Sequence, residues 1–258
     1  MSTTLALGGF NERAPLRQCA VEELDGEQLS TFARELFGDT ADTERIALRA
    51  GLVAKSGQHI HPTAVGLLCF GGLPQLLFPQ WGVSCVRVRG RTISDPVVAQ
   101  LDLEGPIPQL LSQSLAFLTL HTGMVDAAQV TDLTQQVYAP EAMRELIVNA
   151  LIHRDLKRTA RIAIFIFDDR VVIRSPGGPV CEPQMLELLS TEGGRSIPRN
   201  PLLVSIVRRL GLCDQIGRGL THARRLSAAL TRTPLQIEAS SHDLSVIVPS
   251  AWSAQTAN

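Results

Sequence analysis

The chain has 258 residues, and its 24 lysine and arginine residues against 25 aspartate and glutamate residues give a formal net charge of -1 at pH 7. Apolar residues make up 45% and charged residues 19%, which is typical of a soluble globular protein with a substantial core. This charge balance disfavours a dedicated nucleic-acid-binding protein, which usually has a basic excess. No apolar run is long enough to span a bilayer, and we find no secretory signal at the start.

The cysteine and histidine pattern predicts neither a disulfide framework nor a zinc site. The five cysteines stand at positions 19, 69, 85, 181 and 213, an odd number without C-x-x-C spacing. We therefore expect reduced thiols in a cytoplasmic protein. His59 and His61 have a spacing seen in metal sites, but no third ligand stands near them in the sequence.

The first hundred or so residues predict a small helical unit followed by a strand, after a loose terminus over residues 1–15. The pattern gives two helices, a turn, an apolar helix, an alternating strand and a partly extended segment, at residues 22–37, 43–52, 57–62, 63–70, 81–91 and 93–103. Asp42 is the predicted N-cap of the second helix. The helical piece resembles a winged-helix-like connector.

The remainder of the chain alternates helices with strands. Helices are predicted at residues 106–121, 140–155, 182–189, 201–210 and 220–230, and strands at 129–136, 161–167, 170–175, 235–239 and 244–249. These elements predict an α+β fold with helices on one side of a mainly antiparallel sheet. The strand at 161–167 is apolar at nearly every position, which predicts a central strand covered on both faces.

A row of polar side chains marks one edge of the helix at residues 140–155. Glu145, Asn149 and His153 recur at every fourth residue, so they line up along the helix. Beside them runs a core-facing stripe, formed by Met143, Leu146, Ile147, Ala150 and Leu151. A carboxylate, an amide and an imidazole in one row indicate a candidate site, and a hydrogen-bonded polar edge on a packed helix is the structural alternative.

Three sequence blocks, in a fixed order, carry a family resemblance. They are E-A-M-R-E-L-I-V-N-A-L-I-H-R-D at 141–155, F-D-D-R-V-V-I-R-S-P-G-G at 167–178, and the segment from R-N-P-L-L to G-R-G at 199–219. An E-x-x-x-N helix, strands, a glycine loop and G-x-G-L at a helix start resemble the Bergerat-type nucleotide fold of the GHKL ATPases: histidine kinases, gyrase B subunits and Hsp90. The closer resemblance is to the C-terminal part of a bacterial family of predicted transcriptional regulators. That family is AlbA- or Schlafen-associated and often carries the label of a RecG-like ATP-dependent helicase.

The resemblance implies two domains. Residues 104–258 would form a divergent GHKL ATPase-like domain with the Bergerat α/β sandwich of histidine kinases and Hsp90. Residues 1–103 would form a small helical, winged-helix-like connector with a strand. Relatives usually carry a further N-terminal AlbA- or Schlafen-like domain. The connector begins too early for such a domain, so we expect a shortened relative or a fragment.

The resemblance also assigns roles within the three blocks. Asn149 would bind Mg²⁺ through its amide oxygen, because Mg²⁺ prefers oxygen ligands. Glu145 would be the catalytic base that activates water, which leaves weak ATPase activity open, whereas helicase activity is not expected without a helicase motor motif. The nucleotide, expected to be ATP, would contact Asn149, His153, Arg154, Gly177, Gly178, Gly217, Arg218 and Gly219. A glycine loop leading into a helix N-terminus can hold phosphate.

The main departure from the ATPase pattern is the loop after the strand at 170–175. The usual D-x-G-x-G loop has an Asp that accepts a hydrogen bond from the adenine amino group, but Ser175 and Pro176 stand there. The two following glycines could approach a ligand or form a tight turn. For His153 and Arg154, the structural alternative is contact with carbonyls at the helix C-terminus, with Asp155 then pairing with Arg154 or Arg158. Asn200 is predicted to cap the helix at 201–210, with ligand contact by Arg195 or Arg199 a lesser alternative.

Three functions are consistent with these blocks. The first is a nucleotide-binding regulatory module of a transcriptional-regulator-like protein, expected to be a homodimer and to work as a switch. The second is a pseudo-ATPase scaffold for dimerisation or protein interaction without nucleotide, which the missing Asp favours. The third is DNA binding through the N-terminal region, which the net charge does not support. No membrane contact is expected.

Overall fold

The computed structural model describes residues 11–38, 42–124, 137–180, 198–213 and 219–251. The first part has three helices and a hairpin: α1 (Gly26–Phe37), α2 (Thr43–Ala50), β1 (Val53–Ser56), β2 (His59–Pro62) and α3 (Ala64–Phe70). The rest has β3 (Val83–Val88), β4 (Val97–Leu103), α4 (Ile107–Thr122), α5 (Pro140–His153), β5 (Ile162–Ile166), β6 (Arg170–Pro176), α6 (Pro201–Arg209), α7 (Gly219–Thr231), β7 (Gln236–Ala239) and β8 (Asp243–Pro249). The predicted α+β class is confirmed. The strand predicted at 129–136 and the helix at 182–189 lie outside the described residues.

A six-stranded sheet in the order β4-β3-β5-β6-β8-β7 organises the molecule. The pair β3–β5 is parallel and the other four pairs are antiparallel, so the sheet is mixed and mainly antiparallel. Ile162, Ile164 and Ile166 of β5 are buried against the helices because alternate residues of a strand share one face. Both α4 and α5 pack on this face and place the polar edge of α5 above the sheet.

The second face of β5 is less buried than predicted. The strand is central, as predicted, but the helices of the described residues pack on one of its faces, and Ala163 and Phe165 on the other face are half-buried. Phe165 belongs to a small apolar cluster with Val88, Phe167 and Val172. An apolar second face on a strand can therefore reflect contacts within the sheet instead of a second layer of helices.

The sheet crosses the predicted domain boundary between residues 103 and 104. Strand β3, which comes before the boundary, pairs with β5 after it, and Val83 is the register partner of Ile162. One continuous apolar core includes buried residues from α1 through β8. The division into a connector and an ATPase-like domain thus stays a prediction, and β3 and β4 share the sheet of the C-terminal elements.

Helix α2 begins as the sequence predicts, whereas α1 begins at Gly26 and not at residue 22. Asp42 accepts a hydrogen bond from the backbone N–H of Arg45 at 3.1 Å, which satisfies one of the free donors at the start of α2. The turn predicted at 57–62 is wrong over its second half, because residues 59–62 form the second strand of a hairpin. None of the helices in the described part of the chain combines the length and apolar composition that a membrane span requires.

The predicted loose terminus is anchored at Glu12. Its carboxylate accepts hydrogen bonds from the backbone N–H groups of Leu202 and Leu203 at 2.6 and 3.0 Å. These donors belong to the first turn of α6, where a helix has unpaired N–H groups and favours negative charge. Glu12 therefore caps α6 from 190 residues away.

Candidate functional site

Helix α5 presents the predicted row of polar residues beside its buried stripe. The stripe, formed by Met143, Leu146, Ile147, Ala150 and Leu151, is buried, whereas Glu145, Asn149 and His153 are half-buried. Asn149 Nδ2 donates to Glu145 Oε1 at 3.1 Å across one turn. A carboxylate only accepts hydrogen bonds, so the amide group facing it is the NH2, and the Asn149 amide oxygen points away from Glu145.

The start of α7 lies directly against Glu145. A Cβ added to Gly219 would stand 1.5 Å from Glu145 Oε1, so glycine is the residue that fits beside this carboxylate. The structure thus brings together Glu145, Asn149 and Gly219, which the sequence placed in two separate blocks. Gly217 and Arg218, the other predicted residues of this loop, lie outside the described residues.

His153 is held in its neutral form at the last turn of α5. Burial, followed by the nearby positive charges of Arg199 and Arg208, lowers the pKa of His153 to about 4 from its ordinary value of 6.5. A neutral imidazole carries no positive charge, so the charge stabilisation predicted between His153 and the carbonyls at the helix end is not expected at neutral pH.

Arg154 turns away from the polar edge and into the protein. Its side chain is 1% exposed, and its Nη2 donates to the carbonyl oxygens of Gln80 at 2.6 Å and Ala160 at 3.0 Å. Burial is the main cause that lowers the pKa of Arg154 to about 10, so the guanidinium is charged at neutral pH. Its contacts join α5 to the segments before β3 and β5, which gives Arg154 a structural position away from the predicted phosphate site.

Asn200 contacts the end of α5, where His153 and Arg154 were also expected to meet carbonyls. Its Nδ2 donates to the carbonyl oxygens of Ile152 at 3.0 Å and Arg154 at 2.9 Å. Asn200 stands at the N-cap position of α6, as predicted, but its side chain makes no capping bond there. The side-chain amide of Asn200 thus donates to the carbonyls of α5, while the carboxylate of Glu12 accepts hydrogen bonds from the free N–H groups at the start of α6.

The loop predicted to contact adenine is packed against the protein itself. Ser175, in the place of the expected Asp, donates its hydroxyl to the carbonyl of Ala150 at 3.0 Å and is buried. Gly177 has a φ of +99°, which favours glycine, and a Cβ there would be 2.6 Å from the Cβ of Asp155. A Cβ on Gly178 would be 2.2 Å from the carbonyl oxygen of Ser240. Both glycines are thus required by neighbouring protein atoms.

A cleft of about 400 Å³ opens beside this loop. It lies where the end of α5, the glycine loop, residue 199 and the turn between β7 and β8 meet. The residues that line it are Asp155, Arg158, Gly178, Pro179, Arg199, Ala239, Ser240 and Ser241. The three blocks predicted Gly178 as a contact, whereas Arg158 was missed because nothing in its local spacing distinguishes it from a solvent-exposed arginine.

Asp155 joins the two arginines of the cleft. Its Oδ2 lies 3.7 Å from Arg158 Nε and 3.6 Å from Arg199 Nη1, which confirms the predicted pairing with Arg158. In the described ranges, no group of three histidine, cysteine, aspartate or glutamate residues could hold a metal ion. Any metal at the α5 edge would therefore need ligands other than such a cluster.

Comparison with known proteins supports the resemblance in part. Residues 159–248, about a third of the chain, match a family model described as "Putative ATP-dependent DNA helicase recG C-terminal". The match includes the glycine loop and Gly219 but not the helix that carries Glu145 and Asn149. This segment is therefore similar to an ATPase-like domain of RecG-type proteins. No curated protein matches the chain.

A solved structure shares the fold over nearly the whole chain. The DIP2311 protein from Corynebacterium diphtheriae superposes with a TM-score of 0.64 at 21% sequence identity. The match covers 94% of this chain and 47% of that protein, so the chain spans about half the length of the protein it matches. At this identity the likeness shows the fold, and the chemistry has to be argued from the site.

Proposed function

We propose that this chain is a nucleotide-binding regulatory module, with ATP and Mg²⁺ as its ligands. The observation that carries the proposal is the meeting of the three sequence blocks around α5: Asn149 and Glu145 on one edge, Gly219 against that edge, and the glycine loop at the helix end. The match of residues 159–248 to the RecG C-terminal family supports the same function. The proposal also includes a role in the regulation of transcription, a homodimeric state and a cytoplasmic location.

The Asn149 side chain fits the metal that a nucleotide would bring. Its amide nitrogen bonds to Glu145, which leaves the amide oxygen directed elsewhere on a half-buried edge. Mg²⁺ takes oxygen ligands and retains waters and phosphate oxygens, so one protein oxygen is enough. Bound Mg²⁺ would neutralise phosphate charge, while Glu145, within one helical turn, would hold or accept a proton from water.

The packing of the glycine residues favours a second candidate, a scaffold without nucleotide. Glu145 fills the space against Gly219, and Ser240 fills the space against Gly178. Ser175 also uses its hydroxyl for the carbonyl of Ala150. A protein of this kind would keep the fold for dimerisation or protein interaction, and the two candidates differ in whether a nucleotide stabilises the chain.

Thermal unfolding with ligands tests the choice between them. We would measure the melting temperature of the wild type, Asn149→Ala and the control Gln100→Ala, which changes an exposed residue of β4. Each would be measured with and without Mg²⁺ plus ATP, ADP or GTP. A ligand at 100 times its Kd stabilises the folded state by about 2.7 kcal/mol, so a bound nucleotide gives a clear rise.

The nucleotide proposal expects a rise in wild type and Gln100→Ala that Asn149→Ala loses. If no nucleotide at millimolar concentration raises the melting temperature of the wild type, the nucleotide module is rejected and the scaffold is favoured. A rise that Asn149→Ala retains in full would remove Asn149 from the metal site.

A further inference from the structure

The cleft beside the glycine loop combines two arginines that are already held in position. Arg158 Nη2 donates to the carbonyl oxygen of Ser241 at 3.1 Å, and Arg199 Nη2 donates to the carbonyl oxygen of Gly178. Each guanidinium is therefore fixed by a neutral backbone acceptor on the opposite wall of the cleft. Fixed guanidinium groups lose less conformational freedom when they bind a ligand than freely rotating ones.

The charge of these arginines is only half compensated within the cleft. Among its lining residues, Asp155 is the one carboxylate, and its Oδ2 is 3.6–3.7 Å from both guanidinium groups. These distances exceed the 2.7–3.2 Å of an ordinary N–H···O bond, so the N–H donors are not saturated by Asp155. Ser240, on the facing turn, bonds its hydroxyl to Asp243, which does not line the cleft.

Further positive charge lies behind Arg199. Arg208 is close enough to His153 to lower the pKa of that imidazole, as Arg199 also does. The Nε of Arg208 is buried and makes no hydrogen bond to any part of the chain that the structure describes. Arg158, Arg199 and Arg208 thus place three positive charges near this end of α5, and Asp155 is the one carboxylate among the residues that line the cleft.

We infer that the cleft binds a phosphoryl group between Arg158 and Arg199. The planar guanidinium matches two phosphate oxygens at once, and charge-assisted bonds of this type are about twice as strong as neutral ones. The volume of about 400 Å³ accommodates a phosphate or diphosphate with part of a larger ligand. Inorganic phosphate compounds and the phosphates of a nucleotide share this chemistry.

This inference rests on the proposed function in one respect, namely that the phosphoryl group belongs to a nucleotide. The cleft shares Gly178 with the predicted nucleotide site. Ser175 replaces the Asp that would receive the adenine amino group, and the one carboxylate of the cleft, Asp155, is shared between two arginines, so this end of the site offers mainly cationic donors. The inference therefore places an anionic part of the ligand, and not the base, beside the glycine loop.

The test uses pyrophosphate and adenosine, the separate parts of a nucleotide, together with ADP. Melting temperatures would be measured at constant ionic strength for the wild type, Arg158→Gln, Arg199→Gln and Arg199→Lys. The matched control is Arg49→Gln, which removes an exposed arginine of α2 outside the cleft. Arg158 has a side chain that is 41% exposed, so its variant carries the test if Arg199→Gln does not fold.

Pyrophosphate should stabilise the wild type and Arg49→Gln, with an apparent Kd about tenfold weaker in Arg158→Gln and Arg199→Gln. Arg199→Lys keeps the positive charge but loses the planar guanidinium that can bind two oxygens at once. Its apparent Kd for pyrophosphate should lie between those of the wild type and Arg199→Gln. An equal pyrophosphate effect in all variants, or none in the wild type, would overturn the inference. Arginine variants that weaken adenosine as much as pyrophosphate would overturn it as well.

The outcomes also separate this inference from the proposed function. If pyrophosphate stabilises the chain through both arginines while adenosine and ADP add nothing, the phosphoryl site stands and the nucleotide proposal fails. If ADP binds in an Asn149-dependent way and pyrophosphate binding ignores both arginines, the nucleotide proposal stands and this inference fails.

Discussion

Gly178 lies so close to the carbonyl oxygen of Ser240 that a Cβ at residue 178 would be 2.2 Å from it. The contact is between two backbones, and neither can rotate away as a flexible side chain could. It ties the glycine loop after β6 to the turn between β7 and β8, which also forms the walls of the cleft.

Gly178→Ala should therefore destabilise the protein by about 1–3 kcal/mol, because overpacking forces the backbone to shift. The matched control is Gly72→Ala, since nothing lies within 4 Å of a Cβ at that position. Urea unfolding would measure both. Equal stability of the two variants would show that the loop and the turn are not in firm contact.

Asn200 is the donor that caps the C-terminus of α5. Asn200→Ala should lower the free energy of unfolding by about 1–2 kcal/mol, because the carbonyls of Ile152 and Arg154 lose their partner. Asn200→Asp has nearly the same shape but places carboxylate oxygens, which only accept hydrogen bonds, against carbonyl oxygens. We therefore expect a larger loss in the free energy of unfolding. Urea unfolding at pH 7.5 would compare the two variants, and a milder effect of the Asp variant would contradict this assignment.

The buried guanidinium of Arg154 joins three segments through backbone carbonyls. Arg154→Met keeps much of the apolar length but leaves the carbonyls of Gln80 and Ala160 without this donor, so we expect a loss of about 2–4 kcal/mol. Arg49→Met, at an exposed position, serves as the control. Urea unfolding without ligand measures this role, and a loss no larger than that of the control would return Arg154 to the list of ligand contacts.

The low pKa of His153 predicts a pH dependence of stability. Between pH 6.5 and about 4 the unfolded chain binds a proton at this residue that the folded chain does not. Stability from this group is thus complete above pH 6.5 and is lost as the pH falls through this window. From pH 7.5 to pH 5 the loss should be about 1–2 kcal/mol.

Comparison with His153→Gln isolates this contribution from other titrating groups. The free energy of unfolding would be measured by urea at pH 7.5 and pH 5 for both proteins. The wild type should lose more stability than the variant over this interval. An identical loss in both would show that His153 titrates normally in the folded protein.

Helix α5 shows how much can be predicted from local sequence pattern. Its i, i+3, i+4 stripe predicted both the helix and the face that is buried. The recurrence of polar residues at every fourth position predicted the row that contains Glu145 and Asn149. The two apolar strands on either side of Asp168 and Asp169 likewise predicted a hairpin, which β5 and β6 confirm. Periodicity is a property of neighbouring residues, so it can be read without knowledge of the tertiary structure.

The features that were not predicted depend on partners far apart in the sequence. Glu12 caps α6 across 190 residues, and β3 pairs in parallel with β5 although β4, α4 and α5 come between them in the sequence. No local spacing determines such a partner. Asn200 holds the predicted N-cap position of α6 but lacks the predicted capping bond for the same reason, because a side chain at a helix start can also contact the end of another helix.

The candidate site was predictable in its residue types but not in its surroundings. The spacing of Glu145 and Asn149 predicted their hydrogen-bonding distance, whereas the contact of Gly219 with Glu145 required the packing of α7 on α5. Arg158 and Arg199 converge only because Asp155 and the glycine loop are brought together in the fold. The roles of these residues toward a ligand stay predictions.

Calorimetric titration with ADP tests nucleotide binding at the α5 edge most directly. It would be carried out with Mg²⁺ and with excess EDTA, on the wild type, Asn149→Ala and the control Gln100→Ala. We expect saturable binding with Mg²⁺, weakened at least about tenfold by EDTA or by Asn149→Ala and unchanged in the control. Absence of binding heat for the wild type at millimolar ADP, at two temperatures, would contradict nucleotide binding at this edge.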